Sequence, residues 1–295
     1  MPNLVANGIR IEYDTFGDPT QSPLVLIQGL GVQMIYWDES FCRQLADGGH
    51  FVVRFDNRDI GLSQKFENFG VPDIPALMAA AARGEEVDVP YTLNDMADDA
   101  VCLMRELGIE KAHYCGISMG GIIAQTIAAR HADRTLSLIS IMSGSGDLQG
   151  HSPKPEIMQA LLTPSPDTRE AYIEHNVDYW RLVGSPVFEY DEAWIRRRAR
   201  SAFDRSVYPY GKSRQMLAII SSGNRKERLK SITAPTLIIH GREDPLVPVE
   251  AGMDLARTIP GSRLEIIEGM GHDIPEVAWP RIVQAIREHA RNTTP

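Results

Sequence analysis

"HYCGISMGGIIAQ", residues 113–125, decides how the rest of the chain is read. A short apolar segment, "AHYCG" (112–116), leads to one serine set between two glycines, and the residues after it are apolar at helical spacing. In Gly116-Ile117-Ser118-Met119-Gly120 the serine falls on a sharp turn between a strand and a helix. Small flanking residues let neighbouring segments pass close enough to leave Oγ exposed, and the helix that follows points free N–H groups and partial positive charge at developing negative charge. The bare pattern also arises in any glycine-rich turn. Ser118 is read as a nucleophile because of the context and the partners that the chain supplies.

On either side of this turn, short apolar runs alternate with longer helical stretches. The runs "LVLIQG" (24–29), "FVVRFD" (51–56), "LSLISIM" (136–142), "PTLIIHG" (235–241) and "RLEIIEG" (263–269) each end in glycine or near a polar residue, as strands covered on both faces do. "DESFCRQLAD", "LNDMADDAVCLMREL", "MGGIIAQTIAARH", "VEAGMDLARTI" and "EVAWPRIVQAIREHA" carry apolar residues near i, i+3, i+4 and i+7, the pattern of helices packed on a sheet. The alternation implies right-handed crossovers and a mainly parallel sheet whose ligands sit beyond the carboxyl ends of the strands. At the start, Asn7-Gly8 within "NLVANGIRIEYDTFG" predicts a two-residue turn and hence an antiparallel N-terminal hairpin.

The alternation breaks between about 145 and 230. "TPSPDTREAYIEHNVDYWRLVG" and "DEAWIRRRARSAFDRS" read as two helices with no strand between them. Residues 1–144 and 231–295 are therefore expected to form an α/β core with flanking helices, and residues 145–230 an inserted helical cap over the strand ends. The cap is rich in aromatic residues, of which Tyr179 and Trp180 are candidates for lining a substrate site. "RRRAR" (196–200) is expected to be a solvated helix face, and "FENFGVPDIPALMAAAARGEEVDVP" (66–90) a loop holding a short helix.

A serine hydroxyl needs a base, and the base needs a third group that holds its tautomer and stabilises the imidazolium. His272 follows the last predicted strand in "EGMGHDIPE", where a loop can swing it over the sheet; His113 and His240 lie inside strands and His131 ends a helix. The orienting acid is expected after another strand, where "HGREDPLVP" offers Glu243 and Asp244, and Asp244 is preferred, with Glu268 more distant. The chain order is then Ser118, Asp244, His272. An oxyanion hole requires the amide after the nucleophile, Met119, and one from an earlier strand-end loop. In "LIQGLG" Gly29 and Gly31 free the backbone around Leu30, whose N–H is the second expected donor.

Composition limits the alternatives. With 295 residues, 43% of them apolar, the chain can bury a large core, and a net charge of -9 without a basic stripe argues against nucleic acid as partner. No basic start followed by an apolar segment opens the chain and no run of ~18 apolar residues occurs, so neither a membrane association nor export is expected, and the protein is read as cytoplasmic. Cys42, Cys102 and Cys115 form no paired motif, and the eight histidines form no His-Glu-x-x-His; no metal and no cofactor are expected.

Taken together, "QGLG", "FDNRDIGLS", "YTLNDMADDAVCLM", "GISMGGIIAQ", "GREDPLVP" and "GMGHDIP" resemble an α/β-hydrolase with a helical cap, and nearly the whole chain is similar to the aclacinomycin methylesterase-like esterases. The resemblance implies a structural turn around Arg58 and Asp59, and it departs from many relatives in having Gln28 where they have histidine, a change that bears on support for the Leu30 loop. It implies a serine carboxylesterase acting through an acyl-serine on small-molecule esters. Small to medium uncharged esters are expected, because the aromatic residues of 172–208 offer no charged clamp. A carbon–carbon bond hydrolase of the meta-cleavage type, a cofactor-free perhydrolase and a small-molecule receptor on a hydrolase scaffold stand as alternatives. Oligomeric state is open.

Overall fold

Strand order fixes where a ligand can bind. The computed structural model describes residues 1–83, 85, 88–147 and 152–292. Its strands are β1 (Asn3–Ala6), β2 (Ile9–Phe16), β3 (Ser22–Ile27), β4 (His50–Phe55), β5 (Ala112–Ile117), β6 (Thr135–Ile141), β7 (Thr236–Gly241) and β8 (Arg263–Ile267). They form one sheet in the order β1-β2-β4-β3-β5-β6-β7-β8. β1 pairs with β2 and β2 with β4 antiparallel, and from β4 to β8 all neighbours are parallel. The N-terminal hairpin turns at Asn7 and Gly8, both with positive φ (50° and 76°), as the Asn-Gly pair predicts.

The helices among the described residues are α1 (Glu39–Asp47), α2 (Ile74–Ala82), α3 (Leu93–Glu106), α4 (Met119–Arg130), α5 (Pro155–Leu162), α6 (Arg169–Val183), α7 (Glu192–Arg205), α8 (Gly211–Ser222), α9 (Lys226–Leu229), α10 (Val249–Thr258) and α11 (Trp279–Arg291). Successive strand residues point to opposite faces, and both faces are covered. Leu24 and Leu26 of β3 pack with Phe41 and Leu45 of α1 and Ile282 and Ile286 of α11. Val25 and Ile27 pack on the other side with Met96 and Leu103 of α3 and Ile123 and Ile127 of α4. This is why the central strands read as unbroken apolar runs. Each fully buried aliphatic side chain stabilises the fold by roughly 1.5–3 kcal/mol over exposure. α3 starts where the sequence says it should: Thr92 and Asp95 form a reciprocal capping box, with the Thr92 N–H donating to Asp95 Oδ2 at 2.7 Å.

Between β6 and β7 the described chain runs through α5 to α9. α6 and α7 match the two helices read from the sequence, whereas that reading places no helix at α5, α8 or α9. Arg214, Gln215, Met216, Leu217 and Ala218 of α8 are all buried, so its burial gives no helical period to detect. Ala218 and Leu229 join the core layer under α4 and α3. "FDNRDIGLS" forms a tight turn fixed by buried ion pairs. Arg58 binds Asp99 (2.6 Å), and Asp59, at φ 70°, accepts from Nε and Nη2 of Arg214, each at 2.8 Å.

Candidate active site

The turn after β5 carries Ser118 with φ 55° and ψ -120°, a conformation that L residues rarely adopt and that is kept only where the surroundings over-determine it. The two glycines provide that constraint. A Cβ at Gly116 would lie 1.9 Å from the Gly120 carbonyl oxygen, and one at Gly120 would lie 2.1 Å from the Ile27 carbonyl oxygen. The helix start can therefore press against β3 and β5 only if both positions lack a side chain, and the Ser118 N–H is tied to the Ile141 carbonyl at 2.9 Å. Cys115 is fully buried, and burial pushes its thiol up, so it offers no competing thiolate.

His272 lies in the loop after β8, held by its own N–H, which donates to the Val183 carbonyl at the end of α6 (2.8 Å). Its Nδ1 is 2.7 Å from Asp244 Oδ2. Asp244 Oδ1 accepts the amides of Leu246 (2.9 Å) and Val247 (2.8 Å). A buried carboxylate so supplied with donors takes the proton-bearing Nδ1 of His272, which leaves Nε2 as an acceptor. Glu243 diverges: its Oε2 accepts the Gly269 amide at 2.6 Å. Glu268 pairs with Arg242 at the surface (3.0 Å). Of the three acids weighed from the sequence, only Asp244 meets His272. Ser118 and His272 line one cavity and share no hydrogen bond.

The loop after β3 closes over Ser118, with a Cβ built on Gly29 lying 3.3 Å from Ser118 Cβ. The Gly29 N–H donates to Gln28 Oε1 (3.1 Å) and the Gly31 N–H to Gln215 Oε1 (2.8 Å). Among the described residues the Leu30 N–H between them has no acceptor, and Met119 opens α4 with the N–H groups of a helix first turn. Gln28 thus supports the loop through its side chain, and its carbonyl accepts Asn57 Nδ2 at 3.0 Å.

The cavity measures about 830 Å³ with its open mouth, and Tyr179 and Trp180 of α6 both line it, ring against ring edge at 5.4 Å. Burial, and after it the Asp244 carboxylate, pushes the Tyr179 phenol up. An adjoining lobe of about 450 Å³ is walled by Trp37, Trp194 and Trp279. Within "RRRAR", Arg197 and Arg200 are exposed as a solvated helix face requires, and Arg198 departs from that expectation. Arg198 is not solvated but stacks between Tyr36 (4.2 Å) and Trp194 (4.0 Å) and donates to the Tyr36 carbonyl (2.8 Å).

One residue, His240, is placed by the sequence reading only inside a strand, and two cavity residues, His175 and Lys212, have no place in it. His240 sits beneath the acid, its Nε2 3.7 Å from Asp244 Oδ2 and 2.8 Å from the Val247 carbonyl, with burial lowering its pKa. His175 and Lys212 both line the cavity. Only the i, i+4 spacing of His240 and Asp244 hinted at the first; nothing local hinted at the others. Among the described residues no set of three or more metal-ligating side chains comes together, and no helix is long and apolar enough to cross a membrane.

A strand-turn-helix serine under a parallel sheet, with an acid and a histidine on later strand ends, defines a class, and the chain belongs to it: residues 22–278 match the family model of the α/β-hydrolase fold. Among particular relatives, it is 29% identical to rhodomycin D methylesterase DauP of Streptomyces sp. (strain C5), over 97% of this chain and 96% of that protein. It is 28% identical to rhodomycin D methylesterase DnrP of Streptomyces peucetius over the same shares. The enol-lactonase of Burkholderia xenovorans LB400 has the same fold, with a TM-score of 0.75 at 21% identity over 98% of this chain and 100% of that one.

Proposed function

We propose that the protein is a carboxylic ester hydrolase that works through an acyl-serine. The observation that carries this reading is the 2.7 Å contact of His272 Nδ1 with a buried Asp244 whose other oxygen is held by two amides, beside a serine on a strained turn. His272 Nε2 takes the proton of Ser118, Oγ attacks the ester carbonyl, and the Leu30 and Met119 amides hold the oxyanion. His272 returns the proton to the departing alcohol. It then takes a proton from water, which attacks the acyl-serine and releases the acid, while Asp244 stays ionised. Nothing in this cycle calls for a cofactor.

Residues 145–230 act in this reading as the cap that sets substrate choice over a core of 1–144 and 231–295, with Tyr179 and Trp180 contacting substrate. The likeness to two methylesterases supports an ester as substrate. The uncharged class expected from the sequence gives way to one that can include anions, because Lys212, just beyond the aromatic stretch 172–208, lines the cavity. The test is steady turnover of 4-nitrophenyl butyrate by the purified protein, stopped by a serine-directed fluorophosphonate. A receptor on the same scaffold would bind ester and turn it over negligibly, and that outcome would displace this reading.

A further inference from the structure

The cavity beside Ser118 is lined by the basic side chains of Lys212 and His175 besides His272, and among the described residues by no aspartate or glutamate. That is unusual on a chain with a net charge of -9. Lys212 lies in the first turn of α8, and that turn is fixed from below: Arg214 grips Asp59 through two bonds of 2.8 Å, and Gln215 Nε2 donates to the Arg58 carbonyl at 2.8 Å. Its aliphatic stem crosses the loop that carries Leu30, with Cγ only 3.0 Å from where a Cβ on Gly31 would sit. Among the described residues its Nζ has no hydrogen-bonding or carboxylate partner, and it lies 5.9 Å from the centroid of the Tyr179 ring, near the limit of cation–π contacts. Burial lowers its pKa to about 8, so it is mainly an ammonium at neutral pH, and its charge joins burial in lowering the pKa of His175. A half-buried ammonium of this kind has lost water without gaining a counter-charge, a cost that a bound anion removes.

We infer that Lys212 is a specificity-determining residue that binds a carboxylate carried by the substrate, so that the preferred esters are acidic ones, half-esters of dicarboxylic acids or esters of carboxylate-bearing alcohols. The inference rests on the ester-hydrolase reading and narrows it. The stem is held in place over Gly31 before substrate arrives, so little side-chain entropy is lost on binding. The ammonium lies on the α6 and α8 side of the cavity, apart from the aromatic lobe around Trp37, Trp194 and Trp279.

The test uses two isosteric pairs. Mono(4-nitrophenyl) adipate against 4-nitrophenyl adipamate places the charge on the acyl side, and 3-acetoxybenzoate against 3-acetoxybenzamide places it on the alcohol side. In at least one pair the wild-type protein is expected to favour the anion roughly 10- to 100-fold in kcat/KM, the scale of a hydrogen bond between charged groups. Lys212→Met should erase that ratio mainly through KM, and Lys212→Arg should keep most of it. A wild-type ratio near one in both pairs, or a ratio that survives Lys212→Met, overturns the inference while leaving ester hydrolysis intact. If no ester is hydrolysed, the ester reading itself has failed, and calorimetric titration with adipate then decides the point. One-to-one binding weakened at least tenfold by Lys212→Met sustains the anion site, and equal binding or none removes it.

Discussion

Replacing Asp244 by asparagine keeps the shape of the side chain, and the surrounding donors dictate how the amide must sit. Oδ1 of Asp244 faces two backbone N–H groups, from Leu246 and Val247. Asparagine can satisfy them only with its carbonyl oxygen, because turning the NH₂ toward two N–H donors would leave all three without acceptors in a buried site. The NH₂ is thereby forced toward His272 Nδ1, where it donates. The imidazole must then carry its proton on Nε2, the atom proposed to accept from Ser118, and the imidazolium loses a counter-charge now 2.7 Å away. The equivalent change in a serine protease costs about 10⁴ in kcat. With the flipped amide excluded, Asp244→Asn is expected to cost about 10³ to 10⁴ in kcat/KM, which corresponds to ~4–5.5 kcal/mol. Glu243→Gln retains an acceptor for the Gly269 amide and should cost less than about tenfold. The assay is hydrolysis of 4-nitrophenyl butyrate by both variants after thermal melts establish that both are folded. A larger loss in Glu243→Gln, or a loss under about tenfold in Asp244→Asn, refutes the reasoning.

Three other outcomes follow from burial and close packing. Gly120→Ala places a methyl 2.1 Å from the Ile27 carbonyl oxygen, so urea melts should show a loss of about 2 kcal/mol or more, and an unchanged midpoint contradicts the packing argument. His113 is buried between Ser22 Oγ (3.1 Å) and Ser137 Oγ (2.8 Å), with its pKa lowered to about 3 by burial. The unfolded chain therefore binds the extra proton first, below about pH 6.5, and stability falls with pH from there toward about 3. His113 alone should account for about 2 kcal/mol between pH 7 and 5, and melts of His113→Gln should lack that share of the slope; an identical slope in both proteins rules it out. Cys42, pushed up to about 12 by burial, and Cys115, pushed higher, should resist iodoacetamide at pH 8 in the folded protein while the half-buried Cys102 reacts, and mass mapping that finds Cys115 labelled first would reverse this.

The residues whose role depends on a local turn were legible. Gly116, Ser118 and Gly120 declare a strand-turn-helix corner because only glycine tolerates contacts of 1.9 and 2.1 Å, and Asn7-Gly8 declares its hairpin through two positive φ angles. That only one of Glu243 and Asp244 can face His272 was legible because adjacent side chains diverge, and they do so here, Asp244 to His272 and Glu243 to the Gly269 amide. What stayed hidden depends on partners far along the chain. Lys212 faces the cavity because Arg214 is anchored on Asp59, 155 residues earlier. Arg198 leaves the solvated face suggested by its neighbours because Tyr36, 162 residues earlier, offers both a ring and a carbonyl. α8 carries no legible stripe because Arg214 and Gln215 are buried in an ion pair and amide contacts beside Met216, Leu217 and Ala218, which removes the contrast between faces that a sequence pattern requires.

The most direct test of the proposed chemistry is to catch the acyl group on the protein. The purified enzyme is mixed with excess 4-nitrophenyl butyrate, quenched in acid within the first turnovers, and examined by intact mass and peptide mapping, with Ser118→Ala carried in parallel. The account predicts one butyryl adduct, on the peptide containing Ser118, and neither adduct nor turnover in Ser118→Ala. A butyryl group on any other residue, or turnover that survives Ser118→Ala, contradicts it.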